Sequence, residues 1–539
     1  MNSTTKAGER LRTLERDAYD VIIIGAGVGG LTAGALLAQR GQSVLVLDQH
    51  YVAGGNATIF RRRQMRFDIG IHYVGDCGPN GAIPRILRAA GIEDVQFREM
   101  DPDGFDVLCF PDLRFRIPRG FDAFRDRLVE HFPSEAGGID RYLRLLREAF
   151  SLVRIHGPLH ALATLARARL ALRYSGATLS EFLDTCTRDT RLRAVLAGQA
   201  GTYGLPPSRV SLLIHAIVAA HYAQGAYYPV GGGQVVSERL AQAIEHRGGK
   251  LLLLSRACRI LVAKGRVQGV ELESKHLGRL TVRAPAVISN ADLKRTFLEL
   301  VGPEHLRPRT VRRLQGYEMS PPLGVLYLGA RRDIHTAGLG SRNYWLFPDY
   351  DCEPVYRELG AGRFHPEPFV YISSATLKEP DSLLHAPPGI ANLQIMTMVP
   401  AALEAWGTTA EELASGAYRR NERYLQAKEA FAGQMLDQAE RLLPELRRDI
   451  VYQEVATPLT HSRYTFSTGG TSYGIASTPA QSLLGRPGST TEVAGLYLAG
   501  ANTRSGHGMG GTMQSGLLAA ASILGMRLVG EVMGPANDV

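Results

Sequence analysis

The chain has 539 residues and a formal net charge of +9 at pH 7, with 45% hydrophobic and 21% charged residues. This composition is ordinary for a soluble globular protein, and the length predicts two intertwined domains rather than one simple core. No apolar run reaches about 18 residues, so no helix is expected to span a membrane. No basic stripe carries a nucleic-acid-binding motif, which argues against nucleic acid as a partner. The net charge of +9 fits an anionic lipid surface better.

The first predicted unit, residues 20–48, has the order strand, glycine turn, helix, strand and acid. Gly25, Gly27 and Gly30 fit the G-x-G-x-x-G pattern, in which backbone approaches a pyrophosphate at a helix N-terminus. Asp48 ends the second strand, where a carboxylate can accept both hydroxyls of a ribose. The pattern predicts dinucleotide binding. The alternative, a buried βαβ unit with a glycine-rich turn, does not explain an acid at this position.

A second glycine turn follows Asp48, at Gly54 and Gly55, where nicotinamide-binding chains normally continue into another helix. A glycine pair lets backbone pass close to a phosphate or a flat ring, because no Cβ is in the way. A basic segment, Arg61–Arg66, is interpreted as a solvated hairpin tip, and Phe67–Gly70 follows it. This pattern predicts FAD held in an extended form.

The segment 152–174 is predicted to be an apolar, arginine-bearing helix without acids. Such a helix can lie in a lipid interface while its arginines reach the headgroups. The alternative is an ordinary amphipathic surface helix. The residues concerned are Leu159, Leu162, Leu165, Leu170 and Leu172 with Arg154, Arg167, Arg169 and Arg173.

The middle of the chain is predicted to return to the dinucleotide-binding domain. A helix is expected at 234–247, ended by a glycine pair. Strands at 251–254, 260–263 and 267–272 are expected to form a three-stranded meander near an adenine. The adenine edge could pair with the backbone of Ala257.

Two further segments are predicted to form a substrate domain. Residues 79–225 are expected to be mostly helical, and residues 296–447 to alternate strands such as Gly324–Leu328 with one long charged helix, Thr409–Leu442. The FAD-binding domain would take the rest, namely residues 18–78, 226–295 and 448–530.

The C-terminal part repeats the first arrangement. A buried strand ends at Gly500, and a glycine-rich turn at 506–511 opens the helix 512–521. The N-terminus of such a helix can stabilise negative charge on the N1–C2=O edge of a reduced flavin. The alternative is a glycine turn that only caps a buried helix.

Several stretches of the chain match one family of enzymes in the expected order: 44–55, 67–75, 225–232, 287–291, 457–464, 469–474 and 496–516. Through them the chain resembles the phytoene desaturase, carotenoid isomerase and retinol saturase group of FAD-dependent enzymes, and most of all its retinol saturase-like branch. The resemblance implies a Rossmann-type α/β FAD-binding domain of the glutathione-reductase/amine-oxidase-like superfamily, intertwined with an α+β substrate domain. It also implies FAD and a conjugated polyene or isoprenoid lipid substrate. Relatives saturate, desaturate or isomerise, so the reaction stays open.

Two positions depart from the wider superfamily. Asn56 stands where an arginine often follows the glycine pair, and Ala501 stands where an acid often follows the last strand. Phosphate and ribityl contacts are therefore expected to come more from backbone amides than from side chains. The predicted cofactor-binding residues are Gly25, Gly27, Val28, Gly29, Gly30, Asp48, Gln49, Gly54, Gly55, Asn56, Asp68, Gly70, Ile71, Ala257, Asn290, Gly500, Ala501, Asn502, Gly510, Gly511, Thr512 and Met513.

Saturating a C=C bond needs a hydride and a proton, so a tyrosine or histidine near the flavin is expected to help. His72 ranks first, because it follows the segment that passes beside the isoalloxazine in relatives. The alternative for every candidate is a structural role in a core or an apolar tunnel. The other candidates are Tyr73, Tyr228, Tyr464, Tyr473 and His507, whereas His215 and His221 are interpreted as packing residues.

No HExxH or paired CxxC motif is present, so no metal is expected. The five cysteines are scattered and odd in number, which predicts reduced thiols in a cytoplasm. Together with the net positive charge and the predicted helix 152–174, this places the protein peripherally on the inner face of a membrane, as an expectation. Three functions remain open: a saturase or desaturase of a polyene lipid, a flavin-dependent cis–trans isomerase, and a non-catalytic lipid-binding flavoprotein. The oligomeric state and the electron partner are not predicted.

Overall fold

The strands of this computed structural model form one parallel sheet, one larger mixed sheet and smaller sheets of two or three strands. The structure describes Leu14 and residues 16–153, 164–334 and 337–534. The strands are β1 (Val21–Ile24), β2 (Val44–Leu47), β3 (Ile59–Arg62), β4 (Met65–Asp68), β5 (Val74–Gly75), β6 (Phe97–Glu99), β7 (Asp106–Cys109), β8 (Arg114–Ile117), β9 (Ala226–Pro229), β10 (Lys250–Leu252), β11 (Ser255–Ala263), β12 (Arg266–Ser274), β13 (Gly278–Arg283), β14 (Ala286–Ser289), β15 (Leu323–Ala330), β16 (Asn343–Leu346), β17 (Val370–Ser373), β18 (Ala391–Met398), β19 (Ile450–Ala456) and β20 (Leu496–Leu498).

The helices connect these strands and cover the sheets. Their bounds are Val28–Ala38, Ala82–Ala89, Phe121–His131, Ala136–Val153, Arg169–Arg173, Leu179–Leu183, Thr190–Ala197, Leu212–Ala223, Gln234–His246, Leu293–Arg295, Pro308–Gly316, Glu353–Gly360, Ala375–Lys378, Ala410–Ser415, Glu422–Ala439, Leu446–Asp449, Pro458–Thr465, Gly508–Leu524 and Arg527–Met533.

The parallel sheet has the order β10-β2-β1-β14-β20, so the chain moves outward from β1 in both directions. Both faces of β1 and β2 are covered, which explains their continuous apolar sequences. The helix Val28–Ala38 is buried along its whole length, and the helix Gly508–Leu524 packs directly on it. A Cβ at Gly516 would lie 2.4 Å from the Gly29 carbonyl oxygen, so the two glycine-opened helices touch backbone to backbone.

The predicted meander is wrong in its first strand. Lys250–Leu252 pairs in parallel with β2 and belongs to the five-stranded sheet. Its short apolar run is typical of a strand buried in a parallel sheet. The meander consists of β11, β12 and β13. Its first turn lies at Lys264 and Gly265, as predicted, and both residues have positive φ.

The mixed sheet has the order β19-β15-β18-β17-β16-β7-β8. Side chains of β15 alternate between its faces: Val325 and Tyr327 join one apolar cluster, and Leu326 and Leu328 join another. The sequence predicts β19 as part of the FAD-binding segment 448–530, but β19 pairs with β15 and lies in this second sheet. The division into two domains stays a prediction, and the pairing favours a boundary after β19.

The long helix predicted at 409–442 is not continuous. It is broken by Gly416 at φ 74° and restarts at Asn421, whose side chain accepts a hydrogen bond from the Arg423 amide at 2.9 Å. Both residues favour helix ends, since glycine adopts positive φ readily and asparagine caps a helix N-terminus. The helix that packs on the mixed sheet is therefore the shorter Glu422–Ala439.

The predicted helix 152–174 lies partly outside the described residues, including Arg154, Leu159 and Leu162. The described remainder is interrupted at Ala168, whose ψ of 37° is not helical. The short helix Arg169–Arg173 follows, and Glu148 accepts hydrogen bonds from the amides of Leu170 and Ala171 at 2.7 and 3.0 Å. A single continuous helix over this segment is therefore wrong.

Membrane-spanning character is absent from the described helices: none in 16–153, 164–334 or 337–534 is both long enough and apolar enough to cross a bilayer.

Candidate active site

A cavity of about 1270 Å³ opens at the carboxyl ends of the parallel strands and extends to the mixed sheet. Ligands of open α/β sheets bind at this edge, outside the ends of the strands. One part is bordered by the glycine turns, and the other by aromatic and aliphatic side chains. A single cavity therefore joins the predicted cofactor site to an apolar chamber.

The two N-terminal glycine turns lie against each other. The Gly54 amide donates to the Ala26 carbonyl at 2.7 Å, and Gly54 has a φ of 130°. A Cβ at Gly55 would lie 3.2 Å from Cα of Gly27, so a side chain there would crowd the first turn. The two turns form a backbone-lined cradle that suits a phosphate or a flat ring.

Asn290 joins this cradle to the C-terminal turn. It follows strand β14, and the Nδ2 of its side chain donates to the Gly25 carbonyl at 3.2 Å. Cβ atoms at Gly27, Gly29 and Gly500 would all lie within 2.8 Å of its amide group. The asparagine therefore requires glycine at these three positions and holds both turns at one edge of the sheet.

The Asp48 carboxylate lies in the cavity wall, where the sequence predicts it. Its oxygens accept from the amides of Ala26 at 2.7 Å and His50 at 2.8 Å. Burial raises the pKa of this carboxyl, although both amide bonds favour its charged form. Each oxygen keeps a lone pair for a further donor such as a ribose hydroxyl.

Most of the predicted cofactor-binding residues line the cavity, but four do not: Gly30, Asp68, Asn502 and Met513. A Cβ at Gly30 would lie 2.3 Å from the Gly25 carbonyl oxygen, so this glycine serves helix–strand packing. Asn502 accepts from the Ile475 amide at 2.9 Å and supports the turn from outside. Contact of the lining residues with FAD stays a prediction.

Tyr228 does not line the cavity, and its side chain is fully buried. It donates a hydrogen bond to Asp68, which also accepts from the Gly233 amide at 3.0 Å. Burial raises the pKa of the Asp68 carboxyl. Tyr228 therefore lies behind the residues that line the cavity and supports them through Asp68. It does not reach the cavity, so its predicted role as a proton donor to substrate is not supported by a contact.

His72 does line the cavity. Its Nδ1 is buried and has no hydrogen-bond partner among the described residues, and the ring meets Tyr371 edge-on at 6.0 Å. Burial, reinforced by the nearby Lys378 ammonium, lowers the pKa of His72 to about 3. The imidazole is uncharged at neutral pH and cannot act there as an imidazolium acid.

Three other candidates lie in the same cavity. The Tyr73 hydroxyl donates to Asp106 at 3.0 Å, and the Tyr473 hydroxyl donates to the Gly201 carbonyl at 2.9 Å. The rings of Tyr473 and His507 are 4.8 Å apart, and burial lowers the pKa of His507 to about 4. These groups are neutral at pH 7 and suit an apolar chamber.

Tyr464 belongs to the other end of the cavity. It is 39% exposed, its ring lies 5.2 Å from that of His50, and its carbonyl accepts from the Gln49 side chain at 3.1 Å. Gln49 and His50 directly follow Asp48, so Tyr464 borders the predicted ribose site rather than the apolar chamber.

The predicted packing histidines differ from each other. His215 lies in the core between the hydroxyls of Tyr142 and Tyr203, at 2.8 and 3.0 Å, as predicted. His221 lines the cavity and accepts from the Gly75 amide at 3.0 Å, so it also borders the candidate site.

No sequence motif predicts several of the buried ionisable groups around the cavity, and Asp106 and Arg486 are two of them. Asp106 accepts from Gln199, Asn343 and Tyr73, which come from three separate parts of the chain. Arg486 borders the cavity although it lies in a turn without any recognisable motif. In the sequence, Asp106 and Arg486 appear only as single charged residues beside short apolar segments, and this is the only signal that could have indicated their burial.

The apolar chamber has the composition expected for a hydrophobic ligand. It extends from the C-terminal glycine turn across the face of the mixed sheet. Its lining includes Phe150, Leu152, Ile217, Val218, Trp345, Phe369, Tyr371, Met396 and Met398.

Across the described residues, no three His, Cys, Asp or Glu side chains come together in a way that could hold a metal ion. The expectation that the protein needs no metal stays a prediction.

The doubly wound sheet, the glycine cradle and the acid at the end of β2 define a dinucleotide-binding flavoprotein of the Rossmann type. The chain belongs to the flavin-containing amine oxidoreductase family, whose model matches residues 28–524. FAD is its cofactor, and the predicted fold class is confirmed.

Curated relatives carry the names anticipated from the motifs. All-trans-retinol 13,14-reductase of Danio rerio is 28% identical over 88% of this chain and 80% of its own. The Homo sapiens protein of the same name is 28% identical, over 96% and 87%. Prolycopene isomerase 1, chloroplastic, of an Oncidium hybrid cultivar is also 28% identical, over 97% and 87%.

Solved structures agree on the fold. Putrescine oxidase bound to putrescine has a TM-score of 0.61 at 17% identity, covering 94% of this chain and 99% of its own. An oxidoreductase from Methanosarcina mazei has a TM-score of 0.62 at 17% identity, with the same coverage.

Proposed function

We propose that the protein is an FAD-dependent oxidoreductase that acts on a carbon–carbon double bond of a conjugated polyene or isoprenoid lipid. The observation that carries this proposal is the single cavity that joins the glycine cradle to an aromatic, uncharged chamber. The names of the retinol reductases and prolycopene isomerases favour the same substrate class.

The cofactor would be held by backbone more than by charged side chains. The cradle of Gly27 and Gly54–Gly55 would take the pyrophosphate, and Asp48 would accept ribose hydroxyls. The helix Gly508–Leu524 would direct its free N-terminal amides at the flavin. When bound, FAD supplies hydride transfer, and the protein orients the substrate and excludes water.

We assign His72 the role of a neutral hydrogen-bonding group that orients the substrate. Its pKa of about 3 does not suit a proton donor at neutral pH. The proton that saturation requires would then come from solvent or from a phenol of the chamber, such as Tyr473, whose ring lies 4.8 Å from that of His507.

The reaction is tested by anaerobic reduction of the purified protein with dithionite, followed by addition of a retinoid or carotenoid and mass analysis of the product. A product heavier by two hydrogens per bond supports saturation. A substrate returned unchanged in mass and configuration by both oxidised and reduced protein contradicts the proposal.

A second candidate is a flavin-dependent cis–trans isomerase, which the prolycopene isomerase relatives favour. Such an enzyme needs reduced flavin but consumes no electrons overall. An isomer of equal mass, formed with many turnovers per reduced FAD, would identify this reaction and exclude saturation.

We also propose that the segment around Arg169–Arg173 contacts a membrane. Leu165 and Leu172 are 43% and 42% exposed there, among the exposed arginines 167, 169 and 173. Phe150 and Leu152 of the preceding helix line the apolar chamber, so a lipid could pass from this surface into the cavity. The peripheral location and the choice of membrane face belong to the same proposal.

A further inference from the structure

Arg486 is the most deeply buried cation of the cavity wall, with 1% of its side chain exposed. No carboxylate in the described part of the chain pairs with it. Its Nε donates to the Gln481 carbonyl at 3.0 Å, and its terminal nitrogens donate to Ala501 at 3.0 Å, Ser477 at 3.0 Å and the Ile475 carbonyl. All four acceptors are neutral, so the positive charge itself is not compensated.

Burying a cation without a counter-charge costs several kcal/mol, since neutral acceptors replace only part of its hydration. Burial lowers the pKa of Arg486 to about 10, which leaves the guanidinium charged at neutral pH. A role that needs only hydrogen bonds would not require this charge. An anion at the cavity wall would compensate it.

The position of Arg486 in the cavity indicates which anion would compensate its charge. One terminal nitrogen would lie 3.9 Å from a Cβ at Gly506, in the turn that opens the helix Gly508–Leu524. That helix has no capping side chain and no acid in its first turn, so its positive end is also uncompensated. Two independent positive groups therefore meet at the C-terminal turn, on the side predicted to face the flavin ring.

We infer that Arg486 and the N-terminus of the helix Gly508–Leu524 form an anion site that stabilises the negative charge of reduced FAD. Two-electron reduction of the flavin takes up one proton when the reduced ring stays anionic and two when it becomes neutral. The cation favours the one-proton outcome and raises the reduction potential. This inference depends on the cofactor, which the family establishes, and not on the substrate proposed above.

None of the titratable groups described beside Arg486 supplies a negative charge that would compensate it at neutral pH. His507 interacts electrostatically with Arg486, and its pKa of about 4 keeps it neutral above that pH. The Tyr317 hydroxyl donates to the Gly485 carbonyl at 3.0 Å. Arg504, the other cation of the turn, also borders the cavity, but it is exposed, so water and salt screen its charge.

The test is the pH dependence of the FAD reduction potential, measured by dye equilibration on the holoprotein between about pH 5.5 and 6.5. Free reduced flavin is mainly neutral in this range. The wild-type potential is expected to change by about 30 mV per pH unit, the value for one proton and two electrons, and not by about 60 mV. A wild-type slope near the higher value overturns the inference without any variant.

Arg486→Gln is expected to lower the potential by about 30 mV or more, equal to a tenfold loss of preference for reduced over oxidised FAD, and to raise the slope toward the two-proton value. Arg486→Lys keeps the charge and should stay close to wild type. Arg504→Gln removes an exposed cation of the same turn that also borders the cavity, and it should change both quantities less than Arg486→Gln does. An Arg486→Gln holoprotein with an unchanged potential and slope would overturn the inference and show that the guanidinium only connects loops through its hydrogen bonds.

Discussion

At the level of single residues, Asp48 accepts a hydrogen bond from Ala26 in the first glycine turn, beside which it is predicted to bind the ribose. Asp48→Ala should weaken FAD retention, because two charge-assisted hydrogen bonds to the ribose are lost, each worth about 1.5–3 kcal/mol. The Ala26 and His50 amides would also lose their acceptor. FAD retained through gel filtration, read from the flavin absorbance per protein, measures the effect.

Asp20 provides the matched control. Its carboxylate also accepts from a loop amide, that of Ser43 at 2.8 Å, but at the exposed opposite end of β1. Asp20→Ala should keep its FAD. Equal FAD loss in both variants would assign the effect to general loosening of the sheet and remove Asp48 from the cofactor site.

Variants of His72 distinguish a role in positioning the substrate from a role as an acid catalyst. Because its Nδ1 has no partner among the described residues, His72→Phe breaks no hydrogen bond at that atom, and FAD and the fold should be retained. We expect turnover to fall about 10- to 100-fold through misplaced substrate, with an unchanged pH profile between about pH 5 and 8. His72→Gln should recover part of the rate. A wild-type ionisation in that range that disappears in His72→Phe would restore the acid role.

At the level of secondary-structure elements, the sequence predicted those whose signals are local. The strands β1 and β2 with their glycine turns, the helix at 234–246 and the turn at Lys264–Gly265 follow from apolar runs, glycine and capping residues. The assignment of β10 and β19 to their sheets depends on pairing across more than a hundred residues, which one sequence does not show. Lys378, whose Nζ donates to the His72 carbonyl at 2.6 Å, is not predictable from the sequence for the same reason.

The membrane proposal concerns one element, the short helix Arg169–Arg173 with its neighbours. Replacing Arg167, Arg169 and Arg173 by Glu should reduce binding to anionic liposomes by about 1 kcal/mol for each lost cation, and further through the added acids. Sedimentation with vesicles containing an anionic phospholipid measures the effect. Neutral vesicles should show a smaller difference between variant and wild type.

A second triple variant controls for net charge. Arg309, Arg312 and Arg313 are exposed on the helix Pro308–Gly316, and replacing them by Glu gives the same total charge. This variant should bind liposomes better than the first. Equal losses in both would show that overall charge, and not this helix, attracts the protein to lipid.

At the level of the whole molecule, buried histidines make the folded protein sensitive to acid. Burial lowers the pKa values of His72 and His215 to about 3, and those of His461 and His507 to about 4. The unfolded chain binds protons at these residues near pH 6.5, whereas the folded protein does not. The stability that these histidines contribute is therefore complete above that pH, and it decreases as the pH falls toward the folded-state pKa values of about 4 and about 3.

The four histidines should each cost about 1.4 kcal/mol of unfolding free energy at pH 5.5 relative to pH 7.5. Asp48, Asp68 and Asp106 oppose this loss, because burial raises their pKa values and the folded state then holds protons more firmly. His215→Gln isolates one contribution, since these carboxyls remain. The drop in Tm between pH 7.5 and 5.5 should be smaller in this variant, whereas His276→Gln, at an exposed site, should keep the wild-type drop. An identical drop in wild type and His215→Gln would show that the buried imidazole is already protonated when folded.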